Sequence, residues 1–121
     1  MTQFPPSIPN VDVQEADRRV RDDDAAIVDV REAHEFAAIR AEGAVLLPLS
    51  AFAARFEELP RDRPLLIICQ SGNRSMAATA HLLRNGWTDV SNVAGGTIAW
   101  QRAGLPIRTG PPDAGEGDLP G

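Results

Sequence analysis

The chain of 121 residues has one cysteine, Cys69, and no lysine. A single thiol cannot close an internal disulfide, which fits a reducing compartment and leads us to expect a cytoplasmic protein. No stretch approaches the roughly 18 to 20 consecutive apolar residues that a membrane span requires. The opening "MTQFPPSIPN" lacks a basic patch followed by an apolar core, so it does not read as a secretory signal. His34 and His81 are the only histidines and stand apart, with no cluster at zinc-ligand spacing. Neither metal nor any other cofactor is therefore expected. All 12 basic residues are arginine, which beside abundant alanine reads as a coding preference rather than a functional demand. With 17 acidic residues the formal charge is -5, and a diffusely acidic surface disfavours nucleic acid and anionic membranes as partners.

What is present suits one domain with a packed core, since 43% of the residues are hydrophobic. Residues 1–9 carry Pro5, Pro6 and Pro9 and read as a flexible segment. Residues 109–121, ending in "GPPDAGEGDLPG", combine Gly, Pro and acid with little to bury and read as a disordered tail. Residues 10–108 form the domain. Within it, Asp12 and Glu15 have capping-box spacing before a helix with Val13, Ala16 and Val20 on one face. Strands are predicted in "AAIVDV" (25–30), "AVLLPL" (44–49), "PLLIIC" (64–69) and "DVSNV" (89–93). Helices are predicted in "REAHEFAAI" (31–39), after Ser50 as an N-cap, in "RSMAATAHLLRNG" (74–86) and in "GGTIAWQRAG" (95–104). Strand alternating with helix implies an α/β domain with a mainly parallel sheet flanked by helices. The unbroken apolar run of "LLIIC" suits a central strand covered on both faces. In such sheets, sites form beyond the carboxyl ends of the strands, and Cys69 stands there.

The segment "CQSGNRS" therefore bears the chemistry. A thiolate, not a thiol, is the nucleophile. A cysteine at the start of a loop that feeds a helix meets unpaired backbone N–H groups and the positive end of the helix dipole, both of which favour its ionised form. Gly72 lets successive N–H groups turn inward as an anion nest. Arg74 adds a permanent positive charge, and Ser75 can cap the following helix. Gln70, Ser71 and Asn73 complete a loop whose composition suits an anion. A lone cysteine closing a buried strand is most often a small hydrophobe with no role. The loop that follows favours a catalytic or anion-binding reading.

Here the chain resembles the single-domain rhodaneses, a family of sulfurtransferases. The resemblance spans about Val11 to Ile107 and is carried by "IVDVREAHEF" (27–36), "GAVLLPL" (43–49), "CQSGNRS" (69–75) and "NGWTDVSNVAGGTIAWQRAGLPI" (85–107). It implies a three-layer domain around a mainly parallel five-stranded sheet. It also implies a two-step reaction: Cys69 takes the outer sulfur of a donor such as thiosulfate and becomes a persulfide, which an acceptor, cyanide in vitro or a thiol in cells, then discharges. A protein of a sulfur relay is a further candidate partner. Asp29, Arg31 and Glu35 match family positions, with Arg31 either shaping the pocket rim or joining a network between strand and helix. Gly95 and Gly96 match a glycine turn that lets backbone approach the cysteine loop, through packing or substrate contact. Trp87 and Trp100 read as core or rim residues, and Asp22 to Asp24 as a solvated turn. The family sequence Gly-His-Ile-x-Gly-Ala is replaced by Ile39, Arg40 and Ala41 before Glu42, Gly43 and Ala44, which puts the local turn and the role of the usual histidine in question.

Two rivals remain at this stage. One is a sulfur carrier or regulatory module that hands its persulfide to one partner with little turnover. The other is a cysteine phosphatase or arsenate reductase. The related phosphatases place five residues between Cys and Arg, usually with a His before the Cys; here four residues intervene and Ile68 precedes.

Overall fold

A computed structural model describes residues 7–119 of the chain. In chain order the elements are β1 (Asn10–Val11), α1 (Val13–Asp22), β2 (Ala26–Asp29), α2 (Ala33–Ala38), β3 (Ile39–Ala41), β4 (Val45–Leu46), α3 (Leu49–Arg55), β5 (Leu65–Ile68), α4 (Asn73–Arg84), β6 (Val90–Val93), α5 (Gly96–Arg102) and β7 (Ile107–Thr109). Five strands form one sheet in the order β1-β6-β5-β2-β4, and every pairing in it is parallel. The expected α/β architecture is thus present, with β5 at the centre.

Alternation along β5 explains why its sequence shows no polar face. Leu65 and Ile67 enter one apolar cluster with Leu82, Phe52 and Trp87. Leu66 and Ile68 enter a second with Val13, Phe36 and Trp100. Helices cover the sheet on both sides, so every side chain of the strand is buried. Both tryptophans lie in these cores; Trp87 Nε1 donates to Pro60 O at 3.1 Å and Trp100 Nε1 to Pro106 O at 2.7 Å.

Several local expectations shift. Asp12 caps α1 by accepting from Glu15 N at 2.8 Å, yet the Glu15 carboxylate turns to Arg18 and Arg19 instead of closing the box. The capping box occurs at α2, between Glu32 and Glu35. Pro48, not Ser50, precedes α3; Ser50 lies in the first turn and donates from Oγ to Glu32 at 2.7 Å. The strand expected over 44–49 is only Val45–Leu46. β1, β3 and β7 have two or three residues each, too short for a period-2 signal. Pro9, within the segment expected to be flexible, accepts from Asn92 N at 2.8 Å; residues 1–6 lie outside the described residues.

The main correction concerns the end of the chain. Residues 109–119 are not a free tail. β7 pairs antiparallel with β3, and the chain then runs back along the domain so that Leu46 N donates to Gly117 O at 2.7 Å and Leu119 packs on the core. Residues 120 and 121 lie outside the described residues. Arg40 explains the docking. Only 1% exposed, it donates from Nε to Glu116 at 2.6 Å and from Nη2 at 3.0 Å. From Nη1 it reaches Phe36 O at 3.1 Å and Gly110 O at 2.7 Å, and its guanidinium lies 5.2 Å from the Phe36 ring centre. A buried guanidinium needs acceptors for its donors, and the terminal segment supplies most of them. The Gly and Pro content suggested disorder because the partner lies about seventy residues upstream.

Arg40→Ala should therefore cost about 3 kcal/mol, from a cavity and unpaired carbonyls, and release residues 109–119. Urea denaturation and limited proteolysis read the two effects. Arg40, above all, holds the Glu116 carboxyl at a pKa of about 2. Its folded pKa is depressed, so the stabilisation is complete above the unfolded value of about 4.3 and is lost as pH falls toward 2. Hydrogen exchange of the terminal segment should accelerate in that window.

Candidate active site

β5 delivers the chain to Cys69 at the carboxyl end of the sheet, with the thiol 1% exposed. The next three residues turn sharply, and Gly72 takes φ +107°, a left-handed conformation that a side chain would strain. A Cβ there would also stand 3.4 Å from Gly95 N. With Gly72 as the cap, α4 begins at Asn73 and the loop closes around the sulfur.

Two donors reach Cys69 Sγ directly: Gly72 N–H at 3.1 Å and Ser75 Oγ at 3.3 Å. Ser75 is therefore not the helix cap that its position suggested. It lies in the first turn of α4, fully buried, with its hydroxyl turned to the sulfur. Burial is the largest single influence on the thiol and opposes ionisation. The Ser75 hydroxyl and the amides of Ser75, Gly72 and Ser71 act the other way, and together they hold the pKa below that of an ordinary thiol. Gln70, Ser71 and Asn73 are exposed around the loop mouth.

Arg74 does not point its charge freely into the loop. Its Nη1 and Nη2 donate to both oxygens of Glu35, at 2.7 and 2.8 Å. That bidentate bond lowers the Glu35 pKa to about 2 and joins α4 to α2. Arg31 is engaged in the same manner by Asp29, with Nη2 to Oδ2 at 2.8 Å and both groups buried. Asp29 also accepts from Arg31 N, and Arg31 reaches Ile39 O at 2.6 Å, so this pair ties β2 to β3. Arg31 thus sits in a network, between two strands rather than strand and helix, and it also lines a hollow beside the loop.

Gly96 brings α5 against the loop. A Cβ at Gly96 would stand 2.6 Å from Cys69 O and from Gln70 C and O, at φ +59°. The approach lets Thr97 N and Ile98 N donate to Cys69 O and Gln70 O at 2.9 and 3.1 Å, while Thr97 Oγ1 adds a bond to Cys69 O at 3.0 Å. Thr97 was missed in the sequence, and only its place after the two glycines could have singled it out. Gly95, at φ +80°, turns the chain into α5.

The remaining candidates lie elsewhere. His34 is exposed, and His81 packs edge-on to Phe56 with ring centres 4.5 Å apart. His81 is half-buried, and its Nε2 is buried without a hydrogen-bond partner among the described residues. Among those residues no three His, Cys, Asp or Glu form a set that could hold a metal ion. None of the described helices is long and apolar enough to cross a membrane. A hollow of about 730 Å³ under the terminal segment, lined by Phe36, Arg55 and Glu116, includes none of the loop residues.

A parallel α/β domain with a cysteine cradled beyond its central strand defines the class. The comparisons narrow it. The family described as rhodanese-like domain matches residues 12–103. A protein named sulfurtransferase from Allochromatium vinosum is 40% identical over 98 residues, which cover 80% of this chain and 92% of that protein. The thiosulfate sulfurtransferase GlpE of Actinobacillus succinogenes is 34% identical, over 74% of this chain and 81% of its own length. Among solved structures, a rhodanese-related protein from Thermoplasma volcanium superposes with a TM-score of 0.77 at 26% identity, covering 83% of this chain and 97% of that one. The chain belongs to the rhodanese-like domain family and is a rhodanese-type enzyme.

Gly96→Ala should cost about 2 to 4 kcal/mol through backbone overlap and a strained φ; the urea midpoint measures it. Alkylation of Cys69 by iodoacetamide should have its midpoint below that of a free thiol. In Ser75→Ala the midpoint should move up, because a donor to the thiolate is lost.

Proposed function

We propose that this protein is a thiosulfate-type sulfurtransferase in which Cys69 carries the sulfur as a persulfide. The thiolate attacks the outer sulfur of thiosulfate; a new Sγ–S bond forms, the donor S–S bond breaks, and sulfite leaves with the electron pair. A thiolate or cyanide then attacks the outer sulfur, and the pair from the breaking Sγ–S bond returns to Cys69. No general base is required once the thiol is ionised, in accord with the absence of a histidine among the thiol's hydrogen-bond donors. The loop from Gln70 to Ser75 binds the donor anion and steadies the terminal sulfur of the persulfide.

The observation that carries this reading is the set of inward donors on Cys69 Sγ, with Gly72 N at 3.1 Å and Ser75 Oγ at 3.3 Å. Relatives named thiosulfate sulfurtransferase support the choice of donor. The four-residue interval from Cys69 to Arg74, with Arg74 held by Glu35, supports a cradle for a sulfur rather than a full phosphate. A cytoplasmic site of action with cellular thiols as acceptors fits the single unpaired cysteine.

Purified protein given thiosulfate and cyanide should form thiocyanate, and Cys69→Ser should fall to the uncatalysed rate. Intact mass after thiosulfate alone should increase by one sulfur atom that dithiothreitol removes. Loading without turnover would point to a carrier instead, and hydrolysis of an aryl phosphate would point to phosphatase chemistry.

A further inference from the structure

Beside the cysteine loop lies a hollow of about 260 Å³ to which the reaction above assigns no role. Ala38 and Ile39 wall it on one side, Thr97, Ile98 and Gln101 of α5 on another, and Gln70, the residue after the thiol, contributes to the lining. Arg31 and Glu35 reach its edge. Neither brings an unbalanced charge, since Arg31 is bonded to Asp29 and Glu35 to Arg74. The surface left to a ligand is aliphatic, with the two exposed side chains Gln70 and Gln101 offering neutral amide donors and acceptors.

We infer that this hollow seats the body of the sulfur acceptor, and that the acceptor is a small organic thiol whose body carries no charge. The inference rests on the persulfide reaction proposed above. A charged group placed among Ile39, Ile98 and two amides would lose water without gaining a counter-ion, whereas amide or hydroxyl groups can bond to Gln70 and Gln101. The volume lies below the roughly 300 to 1,000 Å³ of drug-sized sites, which suits a body of few heavy atoms. In the transfer, the acceptor thiol gives its proton to solvent and its sulfur attacks the outer sulfur of the Cys69 persulfide. The acceptor departs as a persulfide and Cys69 is left as the thiolate. Ile98 and Gln101 are then specificity-determining residues.

The test compares N-acetylcysteine amide with N-acetylcysteine, which share a skeleton and differ by one carboxylate. The enzyme is loaded with thiosulfate, freed of donor and checked by intact mass. Discharge rates are then measured for each thiol and divided by that thiol's rate on a small free disulfide. The amide should be preferred by about tenfold or more, the scale on which one mismatched group in a pocket discriminates. Gln101→Arg, at an exposed position, should cut that preference by about tenfold, and Ile98→Asp should further weaken use of the anionic thiol. Equal normalised rates for the two thiols, an unchanged preference in Gln101→Arg, or discharge by reduced thioredoxin but by neither small thiol would each overturn the inference. Failure to gain sulfur at the loading step is a distinct result: it overturns the persulfide reading itself, and this inference with it.

Discussion

A thiolate in a nearly closed site is a charge out of water, and the rest of this structure depends on how that charge is held. Burial alone drives Cys69 toward the neutral thiol. The opposing groups are small and local: one hydroxyl and a few main-chain amides. They prevail because they are already aimed at the sulfur, so ionisation requires no reorganisation of the loop. The same feature suits both sulfur states of the proposed cycle, since a persulfide and a thiolate each present an anion to the same donors.

Such aim has to be maintained by the surrounding elements. The parallel register places the ends of β2 and β5 side by side, with Asp29 opposite Ile68. From that point Asp29 fixes Arg31, and Arg74 and Glu35 link the first turn of α4 to α2. On the other side α5 donates twice from its main chain to the Cys69 and Gln70 carbonyls. The loop is thus fixed through its backbone as well as through its side chains. Its arginine is used as a strut, which leaves the sulfur's negative charge mainly to neutral dipoles.

Arg40 shows how one buried side chain can recruit a distant segment. Its long side chain with five donors cannot be satisfied by the neighbouring turn alone. Glu116 and Gly110 complete the set. Both lie beyond residue 103, where the family match ends. An ion pair this buried is costly to break from either side.

The alternation of "AAIVDV", "PLLIIC" and "DVSNV" with helical patterns was legible because burial on both faces of a parallel strand and on one face of a helix leaves periods in the sequence. Cys69, Gly72 and the glycine pair at the start of α5 were legible too, because backbone turns demand particular residue types at fixed local spacing. Beyond that range local chemistry was silent or misleading. Ser75 read as a cap, Arg74 as a positive charge with no partner assigned and the Gly- and Pro-rich end as disorder. Each depends on a partner that only folding brings near: Sγ for Ser75, Glu35 for Arg74 and Arg40 for the terminal segment. The sequence by itself thus determined the layered architecture and the location of the cysteine loop, since both follow from short-range periodicity and backbone geometry. Tertiary structure alone decided which charges are neutralised and which remain, because pairing is set by distance in space, and residues 39 or 76 positions apart carry no mark of one another.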